Sequence, residues 1–188
     1  MKLLLALTAA TAATAPVLSS DLPSCRKWGS KSKITLDSHA ALSSTPRHPT
    51  TVTVDDSNHL VANNGTQLFR FYKCDPPSDD YPTSNNKLVY GVVKTAGNPD
   101  LCLTIQSEKG LQDPKNGVLT MEKCRSKNDP ELSRQWFLGN TALLSFMGTD
   151  YAFTKSAVTG TPYKNAVALT DATAGNHDEQ FLFSDFYL

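Results

Sequence analysis

The four cysteines are the residues with the most distinctive chemistry in this chain. They lie at positions 25, 74, 102 and 124. Such a set serves either as two disulfides in an oxidising compartment or as metal ligands. No Cys-x-x-Cys or paired-histidine spacing, which zinc sites use, occurs in the sequence. We therefore expect disulfides and no metal site, with three pairings open among Cys25, Cys74, Cys102 and Cys124.

The remaining reactive side chains form no catalytic motif. No nucleophile elbow, zinc-protease, phosphate-binding or dinucleotide-binding pattern is present. Adjacent carboxylates at Asp79 and Asp80 stand on a proline-rich stretch and lack the fixed, opposed geometry of a glycosidase pair. The histidines lie in polar, turn-like surroundings and are predicted to be exposed: His39, His48, His59 and His177. The sequence thus predicts no enzyme and no cofactor.

The N-terminus indicates export. Lys2 precedes a short apolar run, Leu3 to Leu7, and small residues up to Ala15, which is the pattern of a secretory signal peptide. The run is too short to span a bilayer, and an ordinary N-terminal helix is the alternative. We expect a signal peptide over residues 1–19, cut between residues 15 and 20, and a secreted, extracellular or cell-wall protein with no membrane span. Asn64, in an Asn-Gly-Thr sequon, is the expected glycosylation site.

The charge balance argues against nucleic acid as a partner. The chain carries 18 basic and 18 acidic residues, so it has no long-range field for nucleic acid or an anionic membrane. Arg26, Lys27, Lys31 and Lys33 around Trp28 form the one local basic cluster. We predict a solvated N-terminal segment there, with a polyanion contact as the alternative.

The rest of the chain consists of short, alternating, β-prone runs separated by turn residues. In the clearest unit, 101–139, a strand from Leu101 to Ile105 is followed by a turn at residues 113–117. A second run ends at Cys124, and a third, around Trp136, stops at Gly139. Helical periodicity is absent after the N-terminal segment, which predicts an all-β protein.

This unit recurs twice. The run after Asn165 resembles the one after Asn116, and the stretch into Cys74 resembles the stretch into Cys124. The apolar anchors Leu88, Trp136 and Phe181 follow one another at 48 and 45 residues. Three repeats of about four strands, near residues 30–90, 91–139 and 140–188, are predicted within a single domain over 25–188.

A cysteine in the second strand, another after the third and an aromatic anchor in the fourth, repeated three times, resemble the pattern of the ricin B-type (R-type) β-trefoil lectins. The Gln-x-Trp repeat of that family is degenerate here, because Asn86, Arg134 and Glu179 stand two residues before the anchors. Reading Gln135-Trp136-Phe137 as Gln-x-Phe is the alternative. We align on Trp136 because it alternates with Leu138.

The resemblance implies a β-trefoil, in which six strands close a ring and three hairpins cap it. It favours a Cys102–Cys124 bridge inside one repeat, which leaves Cys25 for Cys74. The apolar residues expected to point inward are Leu103, Ile105, Leu119, Trp136 and Leu138 in the second repeat, and Phe146, Phe153, Val167, Phe181 and Phe183 in the third.

The resemblance also implies carbohydrate binding through an aspartate, a stacking aromatic and an asparagine in each active repeat. Threonine occupies the aspartate position at Thr53, Thr104 and Thr154. The first repeat comes nearest to the family pattern, with Asp55, Tyr72 and Asn85 as its candidate residues. Carboxylate and amide groups match sugar hydroxyls, and a rigid ring offers contact area at low entropy cost. The alternative is that Asp55 begins a hairpin turn and Tyr72 is a half-buried strand residue.

The sequence leaves two functions open. One is a non-catalytic, lectin-like protein whose partner is a glycan or glycoprotein. The other is a β-trefoil that has lost sugar binding and acts as an extracellular protease inhibitor or a structural wall protein. The proline-rich loop from Asp75 to Pro82 would serve the second function, because proline lowers the entropy lost when a loop enters a partner.

Overall fold

A computed structural model describes residues 22–37, 49–79, 81–84, 88–106, 117–140, 143–146, 151–155, 166–171 and 181–184. This part of the chain is all-β, with thirteen strands and no α-helix. The strands are β1 Cys25–Ser32, β2 Ile34–Asp37, β3 Thr50–Val54, β4 Leu60–Ala62, β5 Phe69–Cys74, β6 Val89–Thr95, β7 Leu101–Gln106, β8 Val118–Lys123, β9 Phe137–Asn140, β10 Leu143–Phe146, β11 Tyr151–Lys155, β12 Val167–Asp171 and β13 Phe181–Ser184. A 3-10 turn, Leu132–Gln135, precedes β9. No helix long and apolar enough to cross a membrane occurs among these residues.

Seven strands pair side by side in a closed ring that has six strand positions, because β1 and β2 together fill one position. β1 pairs with β5, β5 with β6, β6 with β9, β9 with β10, β10 with β13, and β13 with β2. Only Lys33 separates β1 from β2, so these two strands act as one bent strand that closes the ring. All these ladders are antiparallel, and closure leaves the ring without an unpaired edge.

Three hairpins alternate along the chain with the ring strands. They are β3–β4, β7–β8 and β11–β12. Their second strands meet one another, with His59 bridging to Thr120, Val61 to Ala166, and Val118 pairing with Ala168. Each hairpin is therefore held by the other two.

One large core fills the space between the ring and the hairpins. Alternate residues of β5, Phe69 and Phe71, are fully buried in it, and Leu60, Leu119 and Val167 enter it from the three hairpin regions. Period-two alternation points these side chains to one face of each strand. Leu103, Ile105, Leu119 and Val167 were predicted to point inward, and this is confirmed. The side chains of Phe146, Phe153, Phe181 and Phe183 lie outside the described part.

The prediction that Trp136 belongs to this core is wrong. Trp136 is fully buried, but it belongs to a second cluster on the other face of the sheet, with Cys74, Tyr90, Val92 and Cys102. Phe137 takes the place in the large core. The reason is that Trp136 ends the 3-10 turn, so the strand alternation begins one residue later than predicted.

The alignment of the Cys74 stretch with the Cys124 stretch also differs from the structure. β5 lies in the ring between β1 and β6, whereas β8 belongs to a hairpin and pairs with β7 and β12. The N-terminal basic cluster has exposed basic side chains, as predicted, but its backbone is part of the sheet. Arg26, Lys27 and Trp28 belong to β1 and pair with β5, and Trp28 packs against the large core.

Two disulfides join the four cysteines as expected. Cys25 bonds to Cys74, across 49 residues, and Cys102 bonds to Cys124, across 22 residues. The first bridge links the first residue of β1 to the last residue of β5, which are partners in the same ladder. Both bridges belong to the second cluster, on the side of the sheet away from the large core.

Gly91 should be intolerant of substitution, because a methyl group at this position would fall on the carbonyl oxygen of Tyr72 in the neighbouring strand. We expect Gly91→Ala to lower the free energy of unfolding by about 2 kcal/mol through this overpacking. Gly97→Ala is the matched control, since nothing lies within 4 Å of its added methyl group. Denaturant unfolding of the two variants tests this, and equal midpoints would contradict the close approach of β5 and β6 at Gly91.

Candidate functional site

Tyr72 stands at the centre of the outer face formed by β1, β5 and β6. It lies opposite Lys27 of β1 and Val92 of β6. The ammonium of Lys94 lies 4.9 Å from the centre of the Tyr72 ring, within the range of a cation–π contact. Tyr72 is half-buried and packs against the second cluster. Its ring is therefore held in place on a rigid part of the sheet.

Tyr72 lines a pocket that opens beside both disulfides. The pocket has a volume of about 140 Å³ and is bordered by Lys94, Arg125 and Gln135, with Leu22 and Pro23 at the N-terminal side. Pockets that enclose a small ligand are larger, at about 300 Å³ or more. This one has the size to receive an edge of a ligand that lies mostly on the surface.

Gln135 fixes the floor of this pocket. It is fully buried, and its side-chain amide donates to the hydroxyl of Thr104 at 2.8 Å and to the carbonyl of Lys123 at 3.1 Å. Its side-chain oxygen accepts from the backbone N–H of Arg125 at 2.9 Å. The glutamine thus joins β7, the end of β8 and the 3-10 turn through three hydrogen bonds, of which the one to Thr104 is buried.

The two cations of the pocket differ in their surroundings. Arg125 makes ion pairs with Glu131 at 2.8 Å, Glu122 at 3.1 Å and Asp129 at 3.4 Å. Burial by itself lowers the pKa of Arg125, but these three carboxylates raise it above its usual value. Burial lowers the pKa of Lys94, and Asp100 offsets part of that effect. Three carboxylates thus balance the positive charge of Arg125, whereas Asp100 balances that of Lys94 only in part.

Asp55 lies in the turn between β3 and β4 and bonds within it. Its carboxylate accepts from the backbone N–H of Ser57 at 2.9 Å and of His59 at 2.8 Å, and Asn58 adopts the left-handed conformation. These contacts make the β3–β4 connection a tight turn. Asp55 and Tyr72 therefore take part in separate groups of contacts, and Asn85 lies outside the described residues.

Three other sequence predictions concern single side chains. His59, predicted to be exposed, is buried, because its strand segment bridges to Thr120 and its ring lies 3.7 Å from the Asp55 carboxylate. His39, His48 and His177 lie outside the described residues. Asn64 is exposed and left-handed after β4, and its glycosylation stays a prediction. No cluster of three or more potential metal ligands occurs in the described part of the chain.

Sequence reasoning missed Lys94, Arg125 and Gln135 as neighbours of Tyr72. They come from three stretches of chain that only the pairing of β5, β6 and β7 brings together. One signal was available for Gln135: the Gln-x-Phe spacing of 135–137 also occurs at 67–69. In both places the Phe is fully buried and the Gln bonds to a backbone N–H, that of Val54 in the first case.

Comparisons with protein-family models, with curated proteins and with solved structures give no significant match.

Gln135→Leu should lower the free energy of unfolding by about 3 kcal/mol, because it removes three hydrogen bonds, one of them to the buried hydroxyl of Thr104. Gln106→Leu is the matched control, since Gln106 is exposed on β7. Thermal or denaturant melts compare the two. Similar losses in both variants would show that the hydrogen bonds of Gln135 contribute little.

Proposed function

We propose that this chain is a secreted β-trefoil of the ricin B type that binds carbohydrate and catalyses no reaction. The ring of six strand positions capped by three mutually bridged hairpins supports the β-trefoil, because that fold consists of such a ring and such hairpins. The two disulfides support secretion, since such bonds persist in oxidising compartments.

The observation that carries the binding proposal is the pocket beside Tyr72. A half-buried aromatic ring, two cations and an amide-bearing floor border one small opening on a disulfide-linked sheet. Aromatic rings contact the apolar face of a sugar, and the ammonium of Lys94 can donate to its oxygens. The amide of Gln135 is already bonded inside the protein, so it shapes the pocket without contacting the ligand. The aromatic ring of Tyr72 packs against the second cluster, and disulfides link the backbone nearby. Little conformational entropy would therefore be lost on binding. Asp55 and Asn85 stay separate candidates for carbohydrate binding, and the carboxylate of Asp55 already accepts two hydrogen bonds within its own turn.

Tyr72→Ala should weaken glycan affinity about fivefold to tenfold, because one aromatic contact contributes on the order of 1 kcal/mol. Tyr72→Phe keeps the ring and should retain most of the affinity. A glycan array of the oxidised, secreted protein and both variants measures this, with thermal melts to verify folding. Asp55→Ala is screened in parallel, and its loss of binding would add Asp55 to the site. Array binding that survives in folded Tyr72→Ala would exclude Tyr72 from it.

The loop after β5 supports a second candidate, an extracellular protease inhibitor or structural wall protein. The loop is anchored where the backbone N–H of Asp75 donates to the Ser24 carbonyl at 2.9 Å, and where the Tyr81 ring meets Trp136 edge-on at 5.2 Å. Between these points Ser78 and Asp79 are exposed. An exposed segment held at both ends resembles a pre-ordered binding loop.

A protease panel tests the loop. If the loop inhibits a protease, Asp79→Arg should change the inhibition constant, since Asp79 is exposed between the two anchoring contacts, whereas Tyr72→Ala should not. Inhibition unaffected by Asp79→Arg and by Ser78→Trp would exclude the loop.

A further inference from the structure

The basic residues of this neutral chain are concentrated on one part of the sheet. Strands β1, β5 and β6 carry six basic side chains and no acidic ones: Arg26, Lys27, Lys31, Arg70, Lys73 and Lys94. The three strands are adjacent, with β5 between β1 and β6. A chain without net charge therefore has a local positive surface.

Four side chains share the outer face of these strands. Lys27 lies opposite Tyr72, and Arg70 lies opposite Lys94. Residues two apart on one strand share a face, so Arg70 and Tyr72 lie on the same face of β5. Residues directly opposite on neighbouring strands also share a face, which adds Lys27 and Lys94. We call Lys27, Arg70, Tyr72 and Lys94 the basic face. It borders the pocket, since Tyr72 and Lys94 line both.

Arg70 has an unusual environment. Its Nε atom is buried and has no hydrogen-bond partner, and Arg70 forms no ion pair with the described residues. A guanidinium offers five donors in a planar fork that fits carboxylate or sulfate groups. A carboxylate or sulfate beside Arg70 would supply the counter-charge that the described residues do not give it.

We infer that the basic face binds an anionic carbohydrate, one that carries carboxylate or sulfate groups. This inference rests on the proposed function and names its ligand class. Strands β1 and β6 lie two inter-strand spacings apart, about 10 Å. A polysaccharide with an acidic group on successive sugars can therefore contact cations on all three strands while one sugar edge enters the pocket.

The aromatic residues favour a glycan over a single-stranded nucleic acid. Nucleic acids bind by stacking bases on exposed rings. Tyr72 and Trp28 are both half-buried, and Lys94 and Lys73 already lie over their rings, at 4.9 and 5.2 Å from the ring centres. Tyr72 is thus the one aromatic residue of the basic face, since Trp28 packs against the large core. One ring can contact one sugar, but it does not provide the series of rings on which successive bases stack.

The test measures binding to polygalacturonate, dextran sulfate and neutral dextran at low and raised salt. We expect binding to one or both charged polymers, none to dextran, and weakening as salt rises. The polymer that binds distinguishes carboxylate from sulfate recognition. Combined Lys27→Gln, Arg70→Gln and Lys94→Gln substitutions should weaken binding about tenfold, if each lost ion pair contributes a few tenths of a kcal/mol or more.

Two further variants keep the result interpretable. Lys27→Glu changes only an exposed side chain and should also weaken binding, even if the triple variant folds poorly. Lys127→Gln removes an exposed charge that is not part of the basic face and should have no effect. Unchanged binding of the charged polymers in Lys27→Glu, or an equal loss in Lys127→Gln, would overturn the inference.

The same experiment separates the two proposals. Binding of neutral glycans that is lost in Tyr72→Ala but unaffected by the charge variants would leave the proposed function standing and overturn the inference. Equally tight binding of a single-stranded oligonucleotide would overturn it in favour of a different polyanion. No binding to any charged or neutral glycan would overturn both.

Discussion

The sheet depends on the bent strand formed by Cys25–Ser32 and Ile34–Asp37. Its first half pairs with β5 and its second half pairs with β13, near the other end of the chain. Without it, β5 and β13 would each present a row of unsatisfied backbone donors and acceptors. The Cys25–Cys74 bond lies at the first residue pair of the β1–β5 ladder, so a covalent link holds the hydrogen-bonded ladder that closes the ring.

Closure of the ring also determines which side chains are neighbours on the outer surface. It places β1 beside β5 and β6, and so brings Lys27 next to Tyr72 and Lys94. The charges of these residues are not matched by acids on the same strands, whereas Arg125 across the pocket is surrounded by three carboxylates. Strand order thus gives a chain of balanced composition a surface on which basic side chains predominate, and this surface meets the pocket.

The second cluster gives that surface its rigidity. Both disulfides, Trp136 and Tyr81 pack outside the ring, and Gln135 bonds β7 to the turn before β9. The side chains that border the pocket therefore stand on backbone held by covalent bonds, buried aromatic rings and buried hydrogen bonds. Binding residues on such a support need little reordering when a ligand arrives.

The sequence by itself determined the all-β class, most strand positions, the inward faces of β7 and β8 and, with the family resemblance, both disulfides. These follow from local alternation, turn residues and the small number of cysteines. Alternation predicts which residues of a strand share a face, but it does not predict which other strand is its neighbour in the sheet. The tertiary structure alone decided that β5 belongs to the ring, that Phe137 replaces Trp136 in the large core, that His59 is buried, and that Lys27, Arg70, Tyr72 and Lys94 share one face. Strand pairing joins segments that are many residues apart in the sequence. Which strands pair depends on the whole fold, because all strand edges must be hydrogen-bonded and all apolar faces buried in the same structure.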